Sequence, residues 1–214
     1  MPVIEIASWV PSKAYLADPT ILKPALDFLK TVDGCKDVYT GVAEEQSTLF
    51  LFVVWESFAH HKALINNPEY PQVIGLGPSI ASKEEGGSGV TVYHVEFINP
   101  FEPSQSAPTT EILAITLKEG KTKEDLTNVV NTMSAKINAE NPKHAPVTWG
   151  QTLEDEQKFY LTIGWDSSDA HRQIIGDASF LPILTDLRAT AVLKMVHVSF
   201  KKPSLQGRTC TRCK

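Results

Sequence analysis

The chain repeats itself. Leu51-Phe-Val-Val-Trp55-Glu-Ser matches Leu161-Thr-Ile-Gly-Trp165-Asp-Ser, and a histidine follows each tryptophan by six residues, His61 and His171. Farther on, His94-Val-Glu-Phe-Ile-Asn-Pro100 matches His197-Val-Ser-Phe-Lys-Lys-Pro203. The separation is 110 residues from Trp55 to Trp165 and 103 from His94 to His197, so the gaps fall in loops. Two isolated strands often look alike by chance. Three matches in one order at nearly fixed spacing point to duplication, and a duplicated chain should fold as two like halves.

The order of elements repeats with the motifs. In the first half, residues 3–10 read as a strand ended by Pro11-Ser12. Asp18-Pro19 then supplies a helix N-cap with proline at the first position, and Ile21, Leu22, Ala25, Leu29 and Val32 follow at helical spacing up to Gly34. Strands are predicted over 37–43 and 48–55, joined by the acidic turn Glu44-Glu45-Gln46. A second helix is expected from near Ser57 until Asn67-Pro68, and a fourth strand over 90–97. Residues 99–108 are rich in proline and serine and read as a linker. The second half offers a strand over 110–117, then Thr122 with Asp125 as a capping box and Leu126, Val129, Val130, Met133 and Ile137 as a buried helical stripe. Strands over 147–153 and 159–165, a helix from Asp169 and a strand over 192–200 complete it. The expected organisation is one unit at 1–100, a linker at 101–108, a second unit at 109–203 and a flexible tail at 204–214.

This β-α-β-β-α-β order is the ferredoxin-like arrangement, with both helices on one face of a four-stranded antiparallel sheet. Phe50-Leu-Phe-Val-Val-Trp55 is apolar on both alternating sets, so both of its faces need covering. A second sheet against the bare face meets that need. The fold class expected is therefore α+β, two tandem ferredoxin-like units closing an intramolecular dimeric α+β barrel.

Composition narrows the partners. A net charge of −5 and a pI near 5.7 give no general attraction to nucleic acid or anionic membrane. No apolar run reaches the roughly 18 residues of a membrane span, and the first residues do not resemble a signal peptide. A cytoplasmic location is expected. Of the three cysteines, Cys210 and Cys213 form a single CxxC in the tail, a weak metal signal without a second pair, so no metal is expected.

The Val54-Trp55-Glu56-Ser57 strand ending resembles the antibiotic-biosynthesis-monooxygenase (ABM) group of the dimeric α+β barrel superfamily. Lys36-Asp37-Val38-Tyr39-Thr40-Gly41, with Asn67-Pro68-Glu69-Tyr70 downstream, also resembles the stress-responsive barrel branch that includes polyketide cyclases. The resemblance covers about residues 2–203, and tandem copies of the unit are familiar in fungal proteins. It implies a pocket between helices and sheet in each unit. It further implies a small-molecule enzyme of specialised metabolism, free of cofactors, that oxygenates, cyclises or cleaves an apolar or aromatic carbonyl compound through a histidine base. The alternative it allows is a non-catalytic ligand-binding or stress-associated barrel. A homodimer of the tandem chain is a further expectation. Haem-degrading relatives place a histidine late in the second helix, where residues 68–80 and 178–190 have none, which disfavours haem.

A base working near neutral pH suggests histidine. His94 and His197 lie on the closing strands. His60, His61 and His171 open the second helices, where the helix dipole and burial both favour neutral imidazole. Tyr70, which aligns roughly with a catalytic histidine of the cyclase branch, would donate a hydrogen bond to an enolate oxygen; the second copy has Phe180 near this place. The expected catalytic residues are His94, His197, Tyr70 and His61, and the expected substrate contacts are Trp55, Tyr93, Trp165 and His171.

Overall fold

The computed structural model describes residues 2–70 and 74–203. In the N-terminal half, β1 (Val3–Trp9) leads to two short helices, α1 (Lys13–Ala17) and α2 (Lys23–Leu29), then β2 (Cys35–Val42), β3 (Leu49–Trp55), α3 (Phe58–Ile65) and β4 (Thr91–Val95). A helical turn, α4 (Glu102–Gln105), joins the halves. The C-terminal half runs β5 (Thr109–Leu117), α5 (Lys123–Glu140), β6 (Thr148–Gln151), β7 (Lys158–Trp165), α6 (Ser168–Ile175), α7 (Leu181–Thr190) and β8 (Ala191–Val198).

Both halves build the same antiparallel sheet, ordered β2-β3-β1-β4 and β6-β7-β5-β8. The duplication read from the sequence is thus a duplication of topology. The sheets meet along both edges. At the β2–β8 seam, Thr40 bridges Lys201, Ala43 bridges Val198, and the Glu44 N–H donates to the His197 carbonyl at 2.9 Å. At the β4–β6 seam, Val95 bridges Thr152, the Leu153 N–H donates to the His94 carbonyl at 2.9 Å, and the Ile98 N–H to that of Trp149 at 3.0 Å. Glycine permits these approaches: a Cβ on Gly41 would lie 2.4 Å from a Val198 methyl, and one on Gly150 2.4 Å from the Glu96 carbonyl oxygen.

Strand alternation sorts the core into three layers. Ile4, Ile6, Phe50, Phe52, Val54 and Val95 meet Ile112, Tyr160, Val196 and Val198 between the sheets. Trp9, Leu22, Leu29, Leu51, Val53 and Trp55 form a layer under the N-terminal helices. Leu126, Val130, Met133 and Ile137 of α5 pack with Leu113, Phe159, Leu161 and Phe180 under the C-terminal ones. The predicted capping box forms, the Thr122 hydroxyl accepting from the Asp125 N–H and the Asp125 carboxylate accepting from the Thr122 N–H.

Two segments show more structure than the sequence suggests. The separate short helix α1, capped by Ser12 through the Tyr15 N–H, was not expected. The helix expected from Asp18 does begin there, the Asp18 carboxylate accepting from the Thr20 N–H with Pro19 at the first position. Pro19–Leu22 is a 3-10 turn, however, and only Lys23–Leu29 is α-helical, with Pro24 in the first turn of α2. Proline is tolerated there because the first-turn N–H has no intrahelical acceptor. Residues 101–108, expected as a linker, are packed: Phe101 joins the inter-sheet core, and Ser104 hydrogen-bonds Thr162 through its hydroxyl and Thr110 through its carbonyl. The tail with Cys210 and Cys213 lies outside the described residues. Among the described residues no helix is long and apolar enough to cross a membrane.

Candidate functional site

The register of β1 creates the site. Ile4 and Ile6 point between the sheets, so Glu5 points toward the helices, directly opposite His94 on β4. Trp55 ends β3 next to them and donates its indole N–H to Glu5 Oε2 at 2.8 Å. One turn into α3, His61 is buried and stacks on the Trp55 indole, centroids 4.6 Å apart and rings 5° from parallel. Its Nδ1 lies 2.6 Å from His94 Nε2 and 3.4 Å from Glu5 Oε2.

The other half completes the set. Glu154, in the β6–β7 turn, reaches across the β4–β6 seam: Oε1 lies 2.5 Å from His94 Nδ1, and Oε2 accepts the His94 backbone N–H at 2.9 Å. Burial disfavours charge here. It pushes the Glu5 carboxyl up to about 7 against the opposing Trp55 hydrogen bond. Burial, with His94 adding to it, lowers His61 to about 3, so this imidazole is neutral at physiological pH.

Every member has a counterpart in the C-terminal half. Glu111 faces His197 across β5 and β8 and accepts from the Trp165 indole at 2.9 Å. His171 Nδ1 is 2.8 Å from His197 Nε2, and Glu45 of the N-terminal half binds both the His197 ring and its backbone N–H. Burial would raise Glu45, but its bonds from His197 outweigh this and hold it below the ordinary carboxylate value. Burial lowers His171.

The structure therefore brings His61 with His94, and His171 with His197, each pair against its tryptophan. Tyr70 joins the first set, edge-on to His61 at 6.4 Å between centroids, and burial raises its phenol well above the ordinary value. Phe180 is buried in the C-terminal half. Trp55 and Trp165 are wholly buried, with their N–H groups engaged by carboxylates. Tyr93 is not brought to the site. As the neighbour of His94 on a strand it faces the inter-sheet side, where it packs on Tyr160 and accepts from Lys158 Nζ at 2.5 Å. His60 bonds Ser57 at 2.9 Å, apart from these groups. Sequence reasoning missed Glu5, Glu111, Glu45 and Glu154. The signal was present in the repeat: an acid interrupts the apolar runs Val3-Ile-Glu5-Ile and Thr110-Glu111-Ile-Leu at matching positions, and Glu45 and Glu154 occupy matching turns.

The pocket expected between helices and sheet is, in the C-terminal half, filled by core side chains. The grooves along Pro2, Phe97 and Phe101 and along Glu96, Trp149 and Gln151 do not reach the histidines. Glu5, His61 and His94, and likewise Glu111, His171 and His197, each place three ligand atoms within 4.8 Å of one another, a donor set suited to a transition metal. Two nitrogens on one ion with bonds of ~2.1 Å sit about 3.0–3.4 Å apart. At 2.6 Å, His61 and His94 are at hydrogen-bond distance, and a proton joins them.

No protein-family profile and no curated protein sequence matches the chain. Solved structures do. A provisionally assigned monooxygenase from Fusobacterium nucleatum subsp. nucleatum aligns with a TM-score of 0.64 at 11% identity, covering 95% of each chain. An anthrone oxidase-like protein aligns at 0.58 and 9% identity, over 94% of this chain and 93% of the other. A haem-binding protein from Thermus thermophilus aligns at 0.51 and 10%, over 94% and 92%. At such identities the likeness concerns fold, and one fold carries different activities. The fold is a dimeric α+β barrel made by two tandem ferredoxin-like units in one chain.

Proposed function

We propose that the chain is a small-molecule, oxygenase-like enzyme that acts without a cofactor on an apolar or aromatic carbonyl compound, with His61 as its base. One observation carries this reading: His61 Nε2 is buried and has no hydrogen-bond partner among the described residues, while Nδ1 is tied to His94. A neutral imidazole with one nitrogen committed has the other free to take a proton. Tyr70, kept protonated by burial, stands beside it as a donor to the oxygen of the resulting anion. An anthrone-type substrate fits this chemistry. His61 removes a proton from the activated CH2 carbon, dioxygen is the oxidant, and the net change is CH2 plus O2 to C=O plus H2O.

The C-terminal half fits the non-catalytic reading better. Its outer histidine nitrogen, His171 Nε2, faces Glu111 at 3.5 Å, and Phe180 stands near the place of Tyr70.

The test is oxygen uptake by the chelator-treated full chain with anthrone as probe. One O2 consumed per quinone formed is expected, with kcat falling on the order of 10³-fold in His61→Gln. Equal turnover by the variant would remove His61 as base, and no turnover of anthrone or related phenolic ketones would remove the oxygenase reading.

A further inference from the structure

We propose that Glu154, supplied by the C-terminal half, is a positioning residue for the histidine pair of the N-terminal half. Its carboxylate keeps the His94 proton on Nδ1 and thereby leaves the His61 lone pair on Nε2. The catalytic consequence rests on His61 as base; the placement of the proton does not.

A carboxylate only accepts hydrogen bonds. Both Glu154 oxygens are used on one residue, Oε1 on His94 Nδ1 at 2.5 Å and Oε2 on the His94 N–H at 2.9 Å. The ring nitrogen facing Glu154 therefore carries the hydrogen. With its single hydrogen placed on Nδ1, His94 offers Nε2 as an acceptor, and the hydrogen in the 2.6 Å contact comes from His61 Nδ1. Neutral His61 is left with its lone pair on Nε2, the atom without a partner among the described residues. The direction of the whole chain of bonds is set at its far end, in the other half of the molecule. An acid that orients one imidazole by its distal nitrogen does the same work in a Ser-His-Asp triad; here a second imidazole stands between the oriented ring and the reacting atom.

Glu154 is well held for this. Its turn is fixed to β4 by the Leu153 N–H on the His94 carbonyl at 2.9 Å, and internally by the Thr152 hydroxyl on the Asp155 carbonyl at 2.8 Å. The competing explanation is that Glu154 merely fastens the seam. Glu45 separates the two, because it makes the equivalent contacts at the opposite seam but to His197.

Glutamine at position 154 cannot satisfy both His94 donors. Either its NH2 turns to Nδ1 and reverses the tautomer, or it turns to the backbone N–H and loses that bond. The experiment compares Glu154→Gln, Glu154→Asp and Glu45→Gln in the full chain, by 15N-imidazole NMR with His94 assigned from His94→Gln, and by anthrone turnover against pH. Wild type should show His94 protonated at Nδ1. Glu154→Gln should shift the His94 and His61 resonances, lower kcat on the order of 100-fold with KM within about threefold, and displace the pH profile. Glu154→Asp should restore part of kcat, and Glu45→Gln should move only His197 and His171. Unchanged His94 resonances in Glu154→Gln, or equal loss of kcat in Glu154→Gln and Glu45→Gln, would overturn the proposal. If wild type does not turn over anthrone, the NMR comparison decides alone, so that failure of the positioning role and failure of the base reading stay distinct.

Discussion

In the N-terminal half the outer nitrogen of the helix histidine, His61 Nε2, meets no partner among the described residues; in the C-terminal half the outer nitrogen of His171 looks at Glu111 from 3.5 Å. The rings differ in pose accordingly, His61 lying 5° from its tryptophan and His171 30°. Everything behind these atoms is alike: the second histidine, the tryptophan, the strand glutamate and the glutamate from across the seam. Two copies of one buried polar set can thus end differently, one with an unused lone pair beside a phenol, the other with that position closed. Leaving a buried nitrogen unpaired costs about 1–3 kcal/mol. The N-terminal half carries that cost and the C-terminal half has less of it.

The widest separation should come from exchanging the helix histidines. His61→Gln should cut kcat on the order of 10³-fold, whereas His171→Gln should leave it within about twofold, measured as oxygen uptake. Equal losses would erase the distinction between the halves.

A second difference lies in how stability depends on pH. The buried Glu5 carboxyl sits at about 7, above its ordinary 4.5, so its contribution is full below 4.5 and is lost as pH rises through 7. The buried His61 sits at about 3, below its ordinary 6.5, so its contribution is present above 6.5 and lost as pH falls toward 3. Between 4.5 and 6.5 the two oppose each other. Glu5→Gln should leave a stability that climbs with pH over this window. His61→Gln should leave one that declines by about 3 kcal/mol between pH 4.5 and 7. Urea midpoints across pH measure both, and parallel curves for the two variants would contradict the assignment.

The smallest effect concerns the aromatic neighbour. Tyr70→Phe should lower kcat about tenfold by removing one donor to the developing anion. Phe180→Tyr should change nothing in turnover, because the outer nitrogen of His171 in that half already faces Glu111.

Much of the scaffold was legible because duplication and alternation are local properties of a sequence. The Trp55/Trp165 and His94/His197 matches gave the two halves, and the apolar doubling in Phe50–Trp55 gave the second sheet. The four histidines of the paired sets were also readable. Their carboxylates were not, because contact with them is made by register and closure. Glu5 meets His94 only once β1 pairs with β4, and Glu154 meets it only once the β4–β6 seam forms. Tyr93 is a different case. Its exclusion follows from strand geometry alone, since a residue adjacent to His94, which faces the helices, must point between the sheets. The helix start at Asp18-Pro19 was readable from its cap, whereas α1 was not, because the five residues Lys13–Ala17 are too few to show an apolar period.

Joining the sheets along both seams has a consequence for how the protein behaves in company. An open four-stranded sheet offers its outermost strands as templates on which another chain can add, the usual route to runaway association. Here β2, β4, β6 and β8 each commit hydrogen bonds to the opposite half. The cylinder consumes the rims that each half would otherwise expose to strand addition, and fusing the copies leaves a second, independently mutable set of histidines.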